Sequence, residues 1–169
     1  HQPSLFDNEP NTPTCQTFVL GDSEIQYVSN AFTAREADRL FLKLLEDIPW
    51  QTATLTIAGQ KRPLPRLQCW MAHKGRSYSY SGLKLTPHPW NPDVLRVKAR
   101  LEQLCEHSFN SVLLNCYRGG SDSVSWHADD ETELGPNPIV ASVSLGAERM
   151  LEFKPKFNLT TPKKQIVLG

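Results

Sequence analysis

Apolar positions along the chain alternate between a helical period and a strand period. Ile25–Phe32 reads as a short strand and turn. Leu40, Phe41, Leu44, Leu45 and Ile48 then recur at helical spacing, which predicts an amphipathic helix over about 33–48. Thr33, with Glu36 three residues on, has the spacing of a capping box, and Pro49 closes the helix. From Thr52 to Ile57 the period falls to two, and Gly59 with Lys61-Arg62-Pro63 predicts a hairpin tip. Pro65–Met71 reads as a further strand, and Ser77–Leu85 as an alternating segment that breaks at Pro87 and Pro89. Pro92 opens a second helix with Val94, Leu95, Val97, Leu101 and Leu104 as its apolar stripe. Ser111–Tyr117 is a strong strand, turned at Gly119-Gly120 and resumed over Ser123–His127. Ile139–Leu145 and Met150–Phe153 predict two more strands around Gly146, and Gln165–Leu168 another. Helices followed by a run of short strands predict an α+β fold, with the helices on one face of an antiparallel sheet or barrel.

Residues 1–14 are polar, with Pro3, Pro10 and Pro13, and read as a flexible leader; 15–169 reads as a single domain. Hydrophobic residues make up 39% and charged residues 21%, which excludes a disordered, highly charged chain. No stretch approaches the roughly 20 apolar residues of a membrane span, and His1–Pro13 carries no signal-peptide pattern. Cys15, Cys69, Cys105 and Cys116 form no Cys-x-x-Cys pair. They read as reduced, mostly buried residues in a cytoplasmic or nuclear compartment.

The formal charge is zero but unevenly spread. Residues 1–58 carry net −5, residues 59–100 net +8, and residues 101–169 net −3. The central segment is either a phosphate-binding face or a solvated surface beside acidic neighbours.

Candidate chemistry concentrates in Trp126-His127-Ala128-Asp129-Asp130-Glu131. In a strand, His127 and Asp129 would point to one face. A histidine and a carboxylate so placed are two of the three ligands of a facial triad for Fe(II). The bare His-x-Asp pattern is common, and more often marks an acid-rich surface loop. One strand upstream, Asn115 and Tyr117 share the same spacing, and an amide with a phenol can donate hydrogen bonds to a carboxylate. His73, His88 and His107 lack partner spacing and read as ordinary histidines, and the four tryptophans as packing residues.

Taken in order, several motifs resemble the AlkB family of Fe(II)- and 2-oxoglutarate-dependent nucleic-acid dealkylases. They are Pro65-Arg66 with Gln68, Tyr78-Ser79-Tyr80-Ser81-Gly82, Phe109-Asn110 through Asn115-x-Tyr117-Arg118, His127-x-Asp129-Asp130-Glu131, and Ile139-x-Ala141-Ser142-x-Ser144-Leu145-Gly146-x-x-Arg149. The resemblance implies a double-stranded β-helix, or jelly roll, with the N-terminal helices packed on one sheet. It implies His127 and Asp129 as catalytic iron ligands and Asn115 and Tyr117 as 2-oxoglutarate ligands. Tyr80, Glu131, Arg66 and Arg118 would meet the substrate. The co-substrates would be 2-oxoglutarate and O2, and the partner alkylated DNA, or RNA, gripped through the basic 59–100 segment. It further implies a monomer that demethylates bases such as 1-methyladenine and 3-methylcytosine with release of formaldehyde.

The family pattern also holds a second histidine and an arginine that pairs with 2-oxoglutarate. None of the five histidines follows His127. The expectation is therefore a jelly roll lacking its last strands. A non-catalytic nucleic-acid-binding jelly roll that has lost its iron site is the alternative reading.

Overall fold

The structure is a computed structural model. It describes residues 12–21, 23–57, 59–73, 78–80, 83–130, 132–157 and 160–169; of residues 57, 78–80, 83–85 and 133 it describes the backbone alone. In chain order the elements are β1 (Thr14–Leu20), β2 (Ser23–Ser29), α1 (Ala34–Asp47), β3 (Thr54–Ile57), β4 (Gln60–Pro63), β5 (Leu67–Ala72), β6 (Tyr78–Tyr80), β7 (Leu83–Leu85), α2 (Pro92–Cys105), β8 (Ser111–Cys116), a 3-10 turn (Thr132–Leu134), β9 (Arg149–Phe153) and β10 (Lys164–Leu168). The α+β expectation holds. The strands pair two by two, all antiparallel: β1 with β2, β3 with β4, β5 with β8, β6 with β7, and β9 with β10. A closed two-sheet jelly roll is not assembled among the described residues.

The chain divides into two compact units. One runs Lys43–Ser142; the other is built from the segments on either side of it. The Lys43–Ser142 unit holds the clearest core. Cys69 and Met71 on one face of β5 lie across from Leu114 and Val112 of β8. This face packs against Ile48 and Leu44 at the end of α1, against Val94 of α2, and against Trp50 and Trp90. Met71 and Cys69 are each 1% exposed. Both helices therefore cover one face of one strand pair, as the sequence pattern predicts.

Local signals explain the helix ends. Thr33 accepts a hydrogen bond from the Glu36 backbone N–H (3.3 Å), and the Glu36 carboxylate accepts from the Thr33 N–H (2.9 Å). This reciprocal pair is the predicted capping box. At α2 the cap is Asn91, whose side-chain oxygen accepts from the backbone N–H of Asp93 and Val94, with Pro92 at the first helical position. Glu106 ends α2 in the left-handed conformation at φ 49°.

In the other unit, β1 pairs with β2 over seven residues and β9 with β10 over five. Leu40 and Ile166 are buried. Gly146 has φ +94°, and a Cβ built there would lie 2.9 Å from the Phe41 ring.

Several expectations are corrected. Thr14, the last residue of the expected 1–14 leader, opens β1; residues 1–11 lie outside the described residues. Within the alternating Ser77–Leu85 segment, β6 pairs antiparallel with β7, Tyr78 lying across from Leu85. Neither Ser123–His127 nor Ile139–Leu145 forms a strand. Alternation of side chains fits a pleated surface but does not supply a ladder partner, and neither segment has one among the described residues. All four cysteines are free as expected, yet Cys15 and Cys105 are exposed. Trp126 is 48% exposed rather than packed.

Gly146→Ala combines a left-handed backbone with a clash against Phe41. It should destabilise the fold by about 2 kcal/mol, read from the denaturation midpoint, and an unchanged midpoint would contradict this geometry. Burial pushes the Cys69 thiol up to about 11 from its ordinary 9.0. A raised value in the folded state favours the neutral thiol, so its stabilising contribution is complete below pH 9.0 and is lost as pH climbs toward about 11. At pH 8 a thiol reagent should label Cys15 and Cys105 rapidly and Cys69 only after unfolding; fast native labelling of Cys69 would overturn the assignment.

Candidate active site

The face of the β5–β8 pair opposite the helices carries Gln68 and Asn115 beside Trp70, Leu113, Ala72 and Ser111. There Gln68 lies directly across from Asn115. Gln68 is buried, and its Oε1 finds no donor among the described residues. Asn115 is exposed. Its Oδ1 accepts a hydrogen bond from Arg66 Nε at 3.0 Å. A guanidinium can only donate, so the amide oxygen must face it and the amide NH2 faces outward. Tyr117 is half-buried and follows directly after the end of β8.

Arg66 stands where an accessible substrate contact was expected, but it is 3% exposed. Its second described hydrogen bond runs from Nη1 to the Ser123 carbonyl at 3.4 Å. The Ser123 N–H in turn donates to the Pro65 carbonyl at 2.9 Å. Both backbone groups of Ser123 are thus stitched to Pro65-Arg66. Arg66, expected to meet the substrate, is thus buried against protein partners. The Gln51–Gln68 bridge and the following β5–β8 ladder enclose this end of the strand.

Arg118 is likewise committed to a protein partner. Its Nε and Nη2 donate to the two oxygens of Asp122 at 2.7 and 3.0 Å, and its backbone N–H donates to the same carboxylate at 2.9 Å. This closes the Gly119-Gly120 turn. Asp122 is buried while the Arg118 side chain is 54% exposed. The Asp122 carboxylate holds the Arg118 pKa above its ordinary value.

From this anchored turn the chain runs without regular structure to His127. The His127 ring lies with Nδ1 2.8 Å from the Ser125 carbonyl. A carbonyl can only accept, so Nδ1 carries the proton and donates to it. Nε2 lies 3.7 Å from Asp129 Oδ1, and both side chains are 39% exposed. Metal ligands sit roughly 2.0–2.2 Å from a first-row ion, so two donors at this spacing can share one. The expected juxtaposition of His127 and Asp129 is therefore present, although a loop and not a strand produces it. Orientation of one imidazole nitrogen by a backbone carbonyl is the usual support of a metal-ligating histidine. Among the described residues no group of three His, Cys, Asp or Glu side chains gathers to hold a metal. The pair thus fits two ligand positions of a triad.

Two expected substrate residues are not placed. Glu131 lies outside the described residues, and for Tyr80 only the backbone, in the β6–β7 hairpin, is described. The basic segment is less free than its sequence charge implies. Arg96 pairs with Asp93 at 2.6 Å and Lys98 with Glu102 at 2.7 Å, and Arg66 is buried. The Lys98 ammonium and the Phe109 N–H together hold the Glu102 carboxyl below its ordinary value. Exposed β4, with Lys61 and Arg62, keeps cations on the surface. Lys74 and Arg76 lie outside the described residues.

The sequence pattern gave little sign of Asp122, Ser123 and Ser125. The usable signal for Asp122 was a carboxylate four residues after an arginine across a Gly-Gly turn. The two serines act through their backbone carbonyls, which leave no trace in residue type. Asp122→Ala removes both oxygens that close the turn. It should cost about 2 kcal/mol by denaturation, since hydrogen bonds to charged groups are involved; a loss below about 0.5 kcal/mol, the range of an unremarkable surface change, would contradict the anchoring role.

The family model of the 2OG-Fe(II) oxygenase superfamily matches residues 24–169. Alpha-ketoglutarate-dependent dioxygenase alkB homolog 3 of Bos taurus is 43% identical over 123 residues, covering 72% of this chain and 42% of the relative. The Homo sapiens protein of the same name is 41% identical over the same shares. DNA oxidative demethylase ALKBH2 of Mus musculus is 39% identical over 128 residues, 74% of this chain and 54% of the relative. The chain spans about half the length of the curated relatives it matches.

Proposed function

Because the chain belongs to the 2OG-Fe(II) oxygenase superfamily, within its AlkB group, we propose that it acts as an Fe(II)- and 2-oxoglutarate-dependent dioxygenase that removes alkyl groups from nucleobases in DNA. The observation that carries this reading is His127, held by Ser125 with its Nε2 3.7 Å from Asp129. His127 and Asp129 would hold the iron within a jelly-roll domain. Asn115, with its amide NH2 outward, and Tyr117 would donate hydrogen bonds to 2-oxoglutarate. Bound together, iron and 2-oxoglutarate would supply the oxidation by O2 that hydroxylates an N-methyl carbon, with 2-oxoglutarate converted to succinate and CO2, after which the adduct separates into formaldehyde and the unmodified base.

The remaining roles follow from charge and reach. The target base must leave the stack to meet the site. Tyr80 of the β6–β7 hairpin would stack on it, and Glu131 would lie beside it. A cationic lesion, such as 1-methyladenine or 3-methylcytosine, is favoured near Asp129, Asp130 and Glu131. Lys61 and Arg62 on the exposed β4 would meet the phosphate backbone. Arg118, saturated by Asp122, contributes less to that grip. Four free cysteines fit a reducing compartment, cytoplasmic or nuclear, and a monomer suffices for the chemistry.

The test is formaldehyde release by the full-length protein from oligonucleotides carrying 1-methyladenine or 3-methylcytosine, supplied with Fe(II), 2-oxoglutarate and O2. His127→Ala and Asp129→Ala should each lower kcat at least about a hundredfold, and chelation of iron should abolish turnover. Full activity in His127→Ala would sink the reading. Tight, iron-independent DNA binding without turnover would favour a binding module instead. Faster turnover on methylated RNA would move the substrate class to RNA.

A further inference from the structure

We propose that Arg66 is a positioning residue rather than a substrate contact: one buried guanidinium orients the Asn115 amide and fixes the start of the loop that carries His127. This rests on the reading of Asn115 as a 2-oxoglutarate ligand given above. Arg66 is 3% exposed, so its charge cannot reach a phosphate backbone without rearrangement. Its two described hydrogen bonds go instead to Asn115 Oδ1 at 3.0 Å and to the Ser123 carbonyl at 3.4 Å.

The chemistry of the donor sets the direction of the amide. A guanidinium offers only N–H groups, so a flipped Asn115 would turn its own NH2 against them. The flip would also present a carbonyl oxygen outward, which repels a carboxylate. Held as it is, Asn115 presents two N–H donors on the exposed side of β8. The second branch of Arg66 works on the backbone. Ser123 is gripped at its carbonyl by Arg66 and at its N–H by the Pro65 carbonyl. Two residues later the Ser125 carbonyl accepts from His127 Nδ1. One side chain thus ties the co-substrate donor and the anchor of the metal-ligand loop to the start of β5. A planar fork can span both acceptors, whereas a lysine ammonium is a single point on a flexible stem.

The test measures binding, without turnover, on the full-length protein loaded with Mn(II). Titration calorimetry gives the affinity for 2-oxoglutarate, and fluorescence anisotropy the affinity for a methylated oligonucleotide. Arg66→Ala should weaken 2-oxoglutarate binding about tenfold, as the loss of one oriented hydrogen-bond donor does. DNA affinity should move less than about twofold, since no phosphate contact is removed. Asn115→Ala should weaken 2-oxoglutarate by a similar factor, and the double variant should be no weaker than Asn115→Ala alone, because Arg66 acts through Asn115. Arg66→Lys should fall between wild type and Arg66→Ala, and it carries the same cycle if Arg66→Ala does not fold. Hydrogen exchange at the Ser123 amide should quicken in both Arg66 variants.

Independent, multiplying losses in the double variant would overturn the proposal. So would unchanged 2-oxoglutarate affinity with a tenfold loss of DNA affinity, the signature of a nucleic-acid contact. A wild-type protein that binds 2-oxoglutarate and shows the non-additive cycle, yet releases no formaldehyde, would sustain the role of Arg66 while rejecting the dealkylase reading.

Discussion

The register of β5 against β8 assigns every residue of the pair to one of two faces. Pairing Cys69 with Leu114 and Met71 with Val112 turns four apolar side chains toward α1 and α2. The same register puts Gln68 across from Asn115 on the other side. A slip of one residue would exchange the faces, pushing Asn115 into the core and Leu114 out to solvent. The apolar face resists that slip because the helices cover it. Burial of Met71, Cys69, Ile48 and Val94 therefore keeps Gln68 and Asn115 on the opposite face.

Around Asn115 and His127, orientation comes from groups with only one hydrogen-bonding role. Arg66 can only donate, and so turns the Asn115 oxygen inward. The Ser125 carbonyl can only accept, and so puts the proton on His127 Nδ1. The loop between them is held by discrete anchors, namely the Arg118–Asp122 fork and the double grip on Ser123, in place of a ladder. A ladder would have fixed every residue of 123–127 equally. Anchors fix a few atoms and leave His127 and Asp129 partly open to solvent.

Charge follows the same local logic. The central segment reads as a strongly basic stretch, but α2 neutralises two of its cations through Asp93 and Glu102, and folding buries a third. Net charge along a sequence counts formal charges, whereas a phosphate backbone meets only those left exposed and unpaired.

Both helices, the capping box at Thr33 and Glu36, the β3–β4 hairpin and the apolar face of β5 were legible in the sequence, because each is set by contacts within a few residues or by a period. So were the residue types of the candidate site, through motif spacing. Tertiary structure decided the rest. His127 and Asp129 meet across a loop where alternation suggested a strand, since a strand exists only when a partner supplies its hydrogen bonds. Arg66 looks like any surface arginine in the sequence, and only the closure of Ser123 and Asn115 over it, residues 57 and 49 positions away, makes it a buried clamp. Spacing along the chain fixes which side chains share a face; which of them are buried, and what they hold, depends on partners distant in sequence.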